Sequence, residues 1–79
     1  MWHVYILRSL KDHQLYIGST NDLERRLDEH YSGKVPATRT RLPFVLEGDI
    51  ALRTEDKARS LEQYLKTGSG HALLYKRIL

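Results

Sequence analysis

Cysteine is absent from the 79 residues, so neither a disulfide framework nor a thiolate zinc site can supplement the core. No apolar run approaches the ~20 residues of a membrane-spanning helix, and Met1-Trp2-His3 does not open a signal peptide. Together these absences set the cytoplasm as the expected compartment. There is no glycine-rich phosphate loop, no Walker motif and no nucleophile elbow. The histidines His3, His13, His30 and His71 are scattered without the spacing that metal-binding clusters need. The two prolines, Pro36 and Pro43, fall with Gly33 in one stretch, 33–43, which reads as an exposed loop.

What is present is the composition of an ordinary soluble globule, 41% hydrophobic and 29% charged. The length gives one domain, 1–79. A domain of this size buries roughly 60% of the surface its unfolded chain exposes, so its margin of stability is thin. The formal net charge is +3, a balance that permits contact with nucleic acid. Between Tyr31 and Phe44 stand Lys34, Arg39 and Arg41 with no acid among them. On charge alone this segment is either a solvated basic loop or a phosphate contact.

Trp2 to Leu7 is rich in β-formers and reads as a strand, as does Leu15 to Gly18. The turn between them has its tip at Asp12-His13, residues that tolerate positive φ. Asn21 as cap, with Glu24 three residues on, gives a capping-box pattern. Leu23, Leu27, His30 and Tyr31 then recur along one helical face that Gly33 ends. Phe44 to Leu52 supplies a third strand, with Glu47-Gly48-Asp49 as a site for a bulge. Thr54 caps a second helix, its dipole complemented by Glu55 and Asp56, which runs to about Lys66. Ser69 or Gly70 is the expected cap of a last short helix, His71 to Leu79. The expected fold is α+β, ββαβαα: a small three-stranded antiparallel sheet flanked by helices.

Three features break pattern. On the second helix Ala58, Leu61, Glu62 and Leu65 have the spacing of a core-facing stripe, so a carboxylate occupies an apolar slot. Glu62 is then either a stripe-edge residue paired with Lys66 one turn on, or a half-buried ligand for a hard cation. Arg26 shares a face with His30. It reads either as an arginine whose stem covers the core edge or as a fixed cation facing a charged transition state. Tyr5 and Tyr16 project from one side of the sheet if the hairpin turn is even, with Gly18 leaving space beside Tyr16; an odd turn separates them. Strand tyrosines commonly serve packing alone.

Taken together, these residues resemble the GIY-YIG nuclease superfamily. Its first motif, Gly-Ile-Tyr, corresponds to His3-Val4-Tyr5, and its second is intact as Tyr16-Ile17-Gly18. The eleven-residue step from Tyr5 to Tyr16 matches, and Arg26 follows Tyr16 by ten. His30 stands where many members carry histidine or tyrosine, and the segment from Ala58 to Lys66 looks like the family's glutamate helix. The likeness covers nearly the whole chain and is greatest to small stand-alone bacterial members. Two departures stand out: the first motif lacks its glycine, and a late asparagine of some relatives has no counterpart, Asn21 being the only one.

The resemblance implies a metal-dependent endonuclease acting on nucleic acid, DNA before RNA, or a binding module of the same fold with little turnover. Glu62 would hold one Mg²⁺ or Mn²⁺. Tyr5 would activate or orient the attacking water, Tyr16 would bond phosphate or water, and Arg26 would offset the growing charge. The proton acceptor is open among Tyr5, Tyr16 and His30, an unperturbed phenol near pKa 10 being a poor base at neutral pH. Lys34, Arg39 and Arg41 would grip the backbone. Family enzymes commonly carry a separate recognition domain. Weak, salt-sensitive binding is therefore expected unless a homodimer or a partner protein assists.

Overall fold

The computed structural model describes residues 1–79. Strand β1 (Trp2–Ser9) lies at the centre of a three-stranded sheet in the order β2-β1-β3. Its central position explains a run that is apolar without alternation: Val4, Tyr5, Ile6 and Leu7 are all buried because both faces of the strand are covered. Strand β2 (Leu15–Thr20) pairs antiparallel with β1, Tyr5 opposite Gly18 and Leu7 opposite Tyr16. The turn between them places His13 at φ 63°, as the tip reading anticipates.

The register settles the parity left open by the sequence. Opposed residues share a face, so Tyr5, Leu7, Tyr16 and Gly18 point one way and Val4, Ile6, Ile17 and Ser19 the other. Strand β3 (Phe44–Leu52) pairs antiparallel with the other side of β1. Gly48 lies opposite Ile6 and Leu46 opposite Leu7, so Glu47 is the extra residue of a bulge. Released from the ladder, Glu47 accepts a hydrogen bond from Arg8 Nε at 2.8 Å.

Each sheet face buries its own core. Val4, Ile6 and Ile17 pack with Ala58, Leu65 and Leu74 from the C-terminal helices. Tyr5, Leu7 and Phe44 pack with Tyr16, Leu23, Leu27 and Leu42, under helix α1 (Leu23–Tyr31). The cap of α1 is Asp22, not Asn21: its carboxylate accepts from Arg25 N at 3.2 Å, while Thr20 Oγ1 accepts from Asp22 N at 3.0 Å. The Thr20 bond holds the chain extended for one residue more, which moves the start of the helix. Gly33, at φ 79°, ends it.

Helix α2 (Glu55–Leu65) is capped by Thr54, which accepts from Lys57 N at 3.2 Å. Helix α3 (Gly68–Leu73) starts earlier than expected, capped by Thr67 in place of Ser69 or Gly70, and passes into a π turn over Leu74–Ile78. The reason is packing. Gly70 is buried, and a Cβ there would drive into the Tyr64 carbonyl and Leu65 Cα, so the glycine serves close helix contact and not the cap expected of it. The α+β order ββαβαα stands, and no helix is long and apolar enough to cross a membrane.

Candidate active site

On the α1 side of the sheet, the hydroxyl end of the Tyr5 ring lies against Gly18. A Cβ at Gly18 would come within 2.6 Å of Tyr5 Cζ. The glycine therefore does not leave open space beside Tyr16, as the strand reading expected; the space is filled by Tyr5. That placement carries the phenol oxygen to 3.0 Å from His30 Nε2. His30 and Tyr5 are 0% and 1% exposed. Arg26 Nε donates to the same phenol oxygen at 3.4 Å, and its Nη1 donates to Glu29 at 3.1 Å. Tyr16 joins the group through ring contacts, 5.1 Å to His30 and 6.4 Å to Tyr5 between centroids. Four of the sequence-predicted residues, Tyr5, Tyr16, Arg26 and His30, thus converge on one spot.

The electrostatics follow from burial. Burial pushes the Tyr5 phenol above its ordinary pKa; the Arg26 hydrogen bond opposes this without reversing it, and the charges of Tyr16 and Glu62 add to the rise. Burial, reinforced by the Arg26 cation, holds the His30 imidazole below its ordinary value, against a smaller pull from Glu29. At neutral pH the pair is therefore a neutral phenol against a neutral imidazole.

Glu62 approaches from the other side. It rises from α2 toward Ser19 on edge strand β2, and its Oε1 accepts from Ser19 Oγ at 2.6 Å. Oε2 accepts from Lys66 Nζ at 2.7 Å, so the helical ion pair exists and the carboxylate is also half-buried, at 21% side-chain exposure. Burial pushes its pKa up, but the Lys66 and Ser19 hydrogen bonds and the charges of Lys66 and Arg59 outweigh it and leave the group below its ordinary value. With Ser19, Arg59 and Gln63 it lines a shallow cleft of about 290 Å³. Glu62 does not touch the four others: its partner Ser19 faces the opposite side of the sheet from Tyr5 and Tyr16, and only its charge bears on Tyr5. No three acidic, histidine or cysteine side chains stand close enough together to hold a metal ion. One carboxylate with a free lone pair on each oxygen fits a hard cation whose other ligands are water and phosphate, and does not fit a zinc site.

The basic loop divides. Lys34 and Arg39 are exposed and unpaired. Arg41 is not free to grip a backbone: it donates to Asp12 at 2.7 Å and to the Gln14 carbonyl at 3.2 Å, and stacks on Phe44. The Arg41 hydrogen bond, with one from the Gln14 backbone, holds Asp12 down at about 2. Three participants carry no sequence signal of their own. Thr38 bonds His30 Nδ1 from eight residues away, and Ser19 and Arg59 flank Glu62.

A model of the GIY-YIG catalytic domain matches residues 1–75. This chain belongs to the GIY-YIG family. A UPF0213 protein of Vibrio campbellii is 39% identical over 66 residues, covering 82% of this chain and 62% of that protein. The UPF0213 protein YsiG of Lactococcus lactis is 39% identical over 79 residues, covering 99% and 71%. The chain spans about three fifths of the length of the Vibrio campbellii relative. The solution structure of a UPF0213 protein from Bacillus halodurans superposes with a TM-score of 0.59 at 35% identity, covering 96% of this chain and 84% of that one. GIY-YIG membership places the chain in a nuclease family.

Proposed function

We propose that this GIY-YIG domain is a divalent-metal-dependent endonuclease that hydrolyses phosphodiester bonds, with DNA as its substrate. The observation that carries the reading is the buried hydrogen bond between Tyr5 and His30, flanked by Arg26, in a sheet whose edge strand β2 also holds Glu62 through Ser19. The Tyr5 phenol, protonated at neutral pH, serves as a conduit. It accepts a proton from the attacking water as it passes its own to His30 Nε2, so the net proton rests on the imidazole. A neutral imidazole is the form that can accept it. Tyr16 orients the phosphate through its hydroxyl, and Arg26 offsets the negative charge that grows on the phosphorus oxygens. Glu62 would hold Mg²⁺ or Mn²⁺, which when bound neutralises a nonbridging oxygen and eases departure of the 3′-oxygen. Lys34 and Arg39 meet the backbone. With so few free cations there, binding is weak and salt-sensitive.

The test is nicking of supercoiled plasmid with Mg²⁺ or Mn²⁺, with and without chelator. Wild type nicks only with the metal, and Glu62→Ala or Arg26→Ala each lowers the rate by about 10²-fold or more. Nicking that survives both changes refutes the reading. Duplex binding without any metal-dependent nicking identifies a binding module instead.

A further inference from the structure

His30 is wedged between two hydroxyls, Tyr5 Oη at 3.0 Å from Nε2 and Thr38 Oγ1 at 2.9 Å from Nδ1. Its neutral ring carries one proton, and the two placements have different consequences. With the proton on Nε2, Tyr5 Oη receives two donors, His30 and Arg26 Nε. Its own proton is then left with no protein acceptor, although Tyr5 is 1% exposed. A buried donor without a partner is disfavoured, because nothing replaces the hydrogen bond it loses to water. With the proton on Nδ1, every donor has an acceptor. Nδ1–H donates to Thr38 Oγ1, the Thr38 hydroxyl turns to the Val35 carbonyl at a long 3.5 Å, and the Tyr5 hydroxyl donates to the bare Nε2.

We propose that Thr38 is a positioning residue that holds the ring proton of His30 on Nδ1, so that Nε2 faces Tyr5 as an empty acceptor. Only this tautomer lets Tyr5 hand a proton inward; the other points a donor at the phenol and blocks transfer. Thr38 is 0% exposed, so bulk water does not substitute for its hydroxyl. It also precedes Arg39, so the loop that offers a cation to nucleic acid is the loop that sets the state of the base. The catalytic meaning of the tautomer rests on the nuclease reading, whereas the tautomer itself does not.

The experiment is a long-range ¹H–¹⁵N correlation spectrum of the imidazoles, on protein free of metal and nucleic acid, at a pH where His30 is neutral. In wild type, His30 shows a protonated Nδ1 and a bare Nε2, and Thr38→Ser keeps that pattern. Thr38→Val, close in shape but lacking the acceptor, moves the proton to Nε2. It loses about 10²-fold in metal-dependent nicking, which Thr38→Ser restores. A wild-type His30 protonated on Nε2 overturns the proposal even if Thr38→Val does not fold. So does a folded Thr38→Val protein that keeps the wild-type pattern. The expected spectra from a wild type that never nicks uphold the positioning role and refute the nuclease reading alone.

Discussion

The two faces of the sheet carry two clusters built on opposite principles. On the α1 side, Tyr5, His30 and Thr38 form a chain of neutral groups with exposures of 1% or less. On the α2 side, Glu62, Ser19 and Lys66 form a charged cluster at the rim, Glu62 21% and Lys66 53% exposed in their side chains. A neutral network can be buried because each hydrogen bond replaces one lost to water. An ionised carboxylate cannot be, so it keeps an edge in solvent. The difference teaches a division of labour. Proton transfer needs fixed tautomers and distances, which burial supplies; cation binding needs exchangeable ligands, which partial exposure supplies.

The largest break in that comparison comes from emptying one site on each side. His30→Ala removes a fully buried ring and strands Thr38 and Tyr5, and should cost about 3 kcal/mol or more, a large share of so small a fold. Glu62→Leu should move stability by less than about 1 kcal/mol, since a partly exposed ion pair contributes little. Urea unfolding measures both; comparable losses would show that the two clusters are equally part of the core.

A smaller effect is expected from acid, and its two windows separate the clusters. His30 is depressed in the fold from an ordinary 6.5, so the unfolded chain binds the proton more readily. Its contribution is complete above about pH 6.5 and is lost as pH falls toward the lower folded value. Glu62 is depressed from an ordinary 4.5, so its contribution is complete above that pH and disappears only on further acidification. Thermal melts from pH 8 to about pH 2 should show an early loss that His30→Phe removes and a later one, below about pH 4.5, that Glu62→Gln reduces.

The smallest effect sharpens the charged side. Lys66 occupies one carboxylate oxygen of Glu62 and competes with any cation for it. Lys66→Met should tighten Mn²⁺ binding about threefold, the scale of a partly exposed ion pair. Paramagnetic resonance of free Mn²⁺ reads this directly, and an unchanged affinity would mean that Lys66 yields without cost.

Much of this was legible in the sequence, for reasons that differ by residue. The strands, the His13 tip, the Glu47 bulge and the Thr54 cap follow from local chemistry, and local chemistry is what a sequence displays. The gathering of Tyr5, Tyr16, Arg26 and His30 was readable through motif spacing, although the filling of Gly18 by Tyr5 was not. Spacing says where a ring starts, not which void it enters. The caps at Asp22 and Thr67 were missed because nearby Asn21 and Ser69 cap about as well; the Thr20 hydroxyl bond decides the first case and the packing of Gly70 the second. Thr38 and Ser19 bear no mark because their partners lie across a loop or on another element. Arg41 looked free because its partner, Asp12, sits 29 residues earlier.

The basic loop is riveted at regular intervals. Val35 is buried, Thr38 is bonded to His30, and Arg41 is tied both through its side chain to Asp12 and through its carbonyl to the Ser9 hydroxyl at 2.6 Å. Lys34 and Arg39 therefore stand like the jaws of a caliper already set. An anion spanning them meets roots whose separation is fixed beforehand, and only the two flexible arms remain to be stilled.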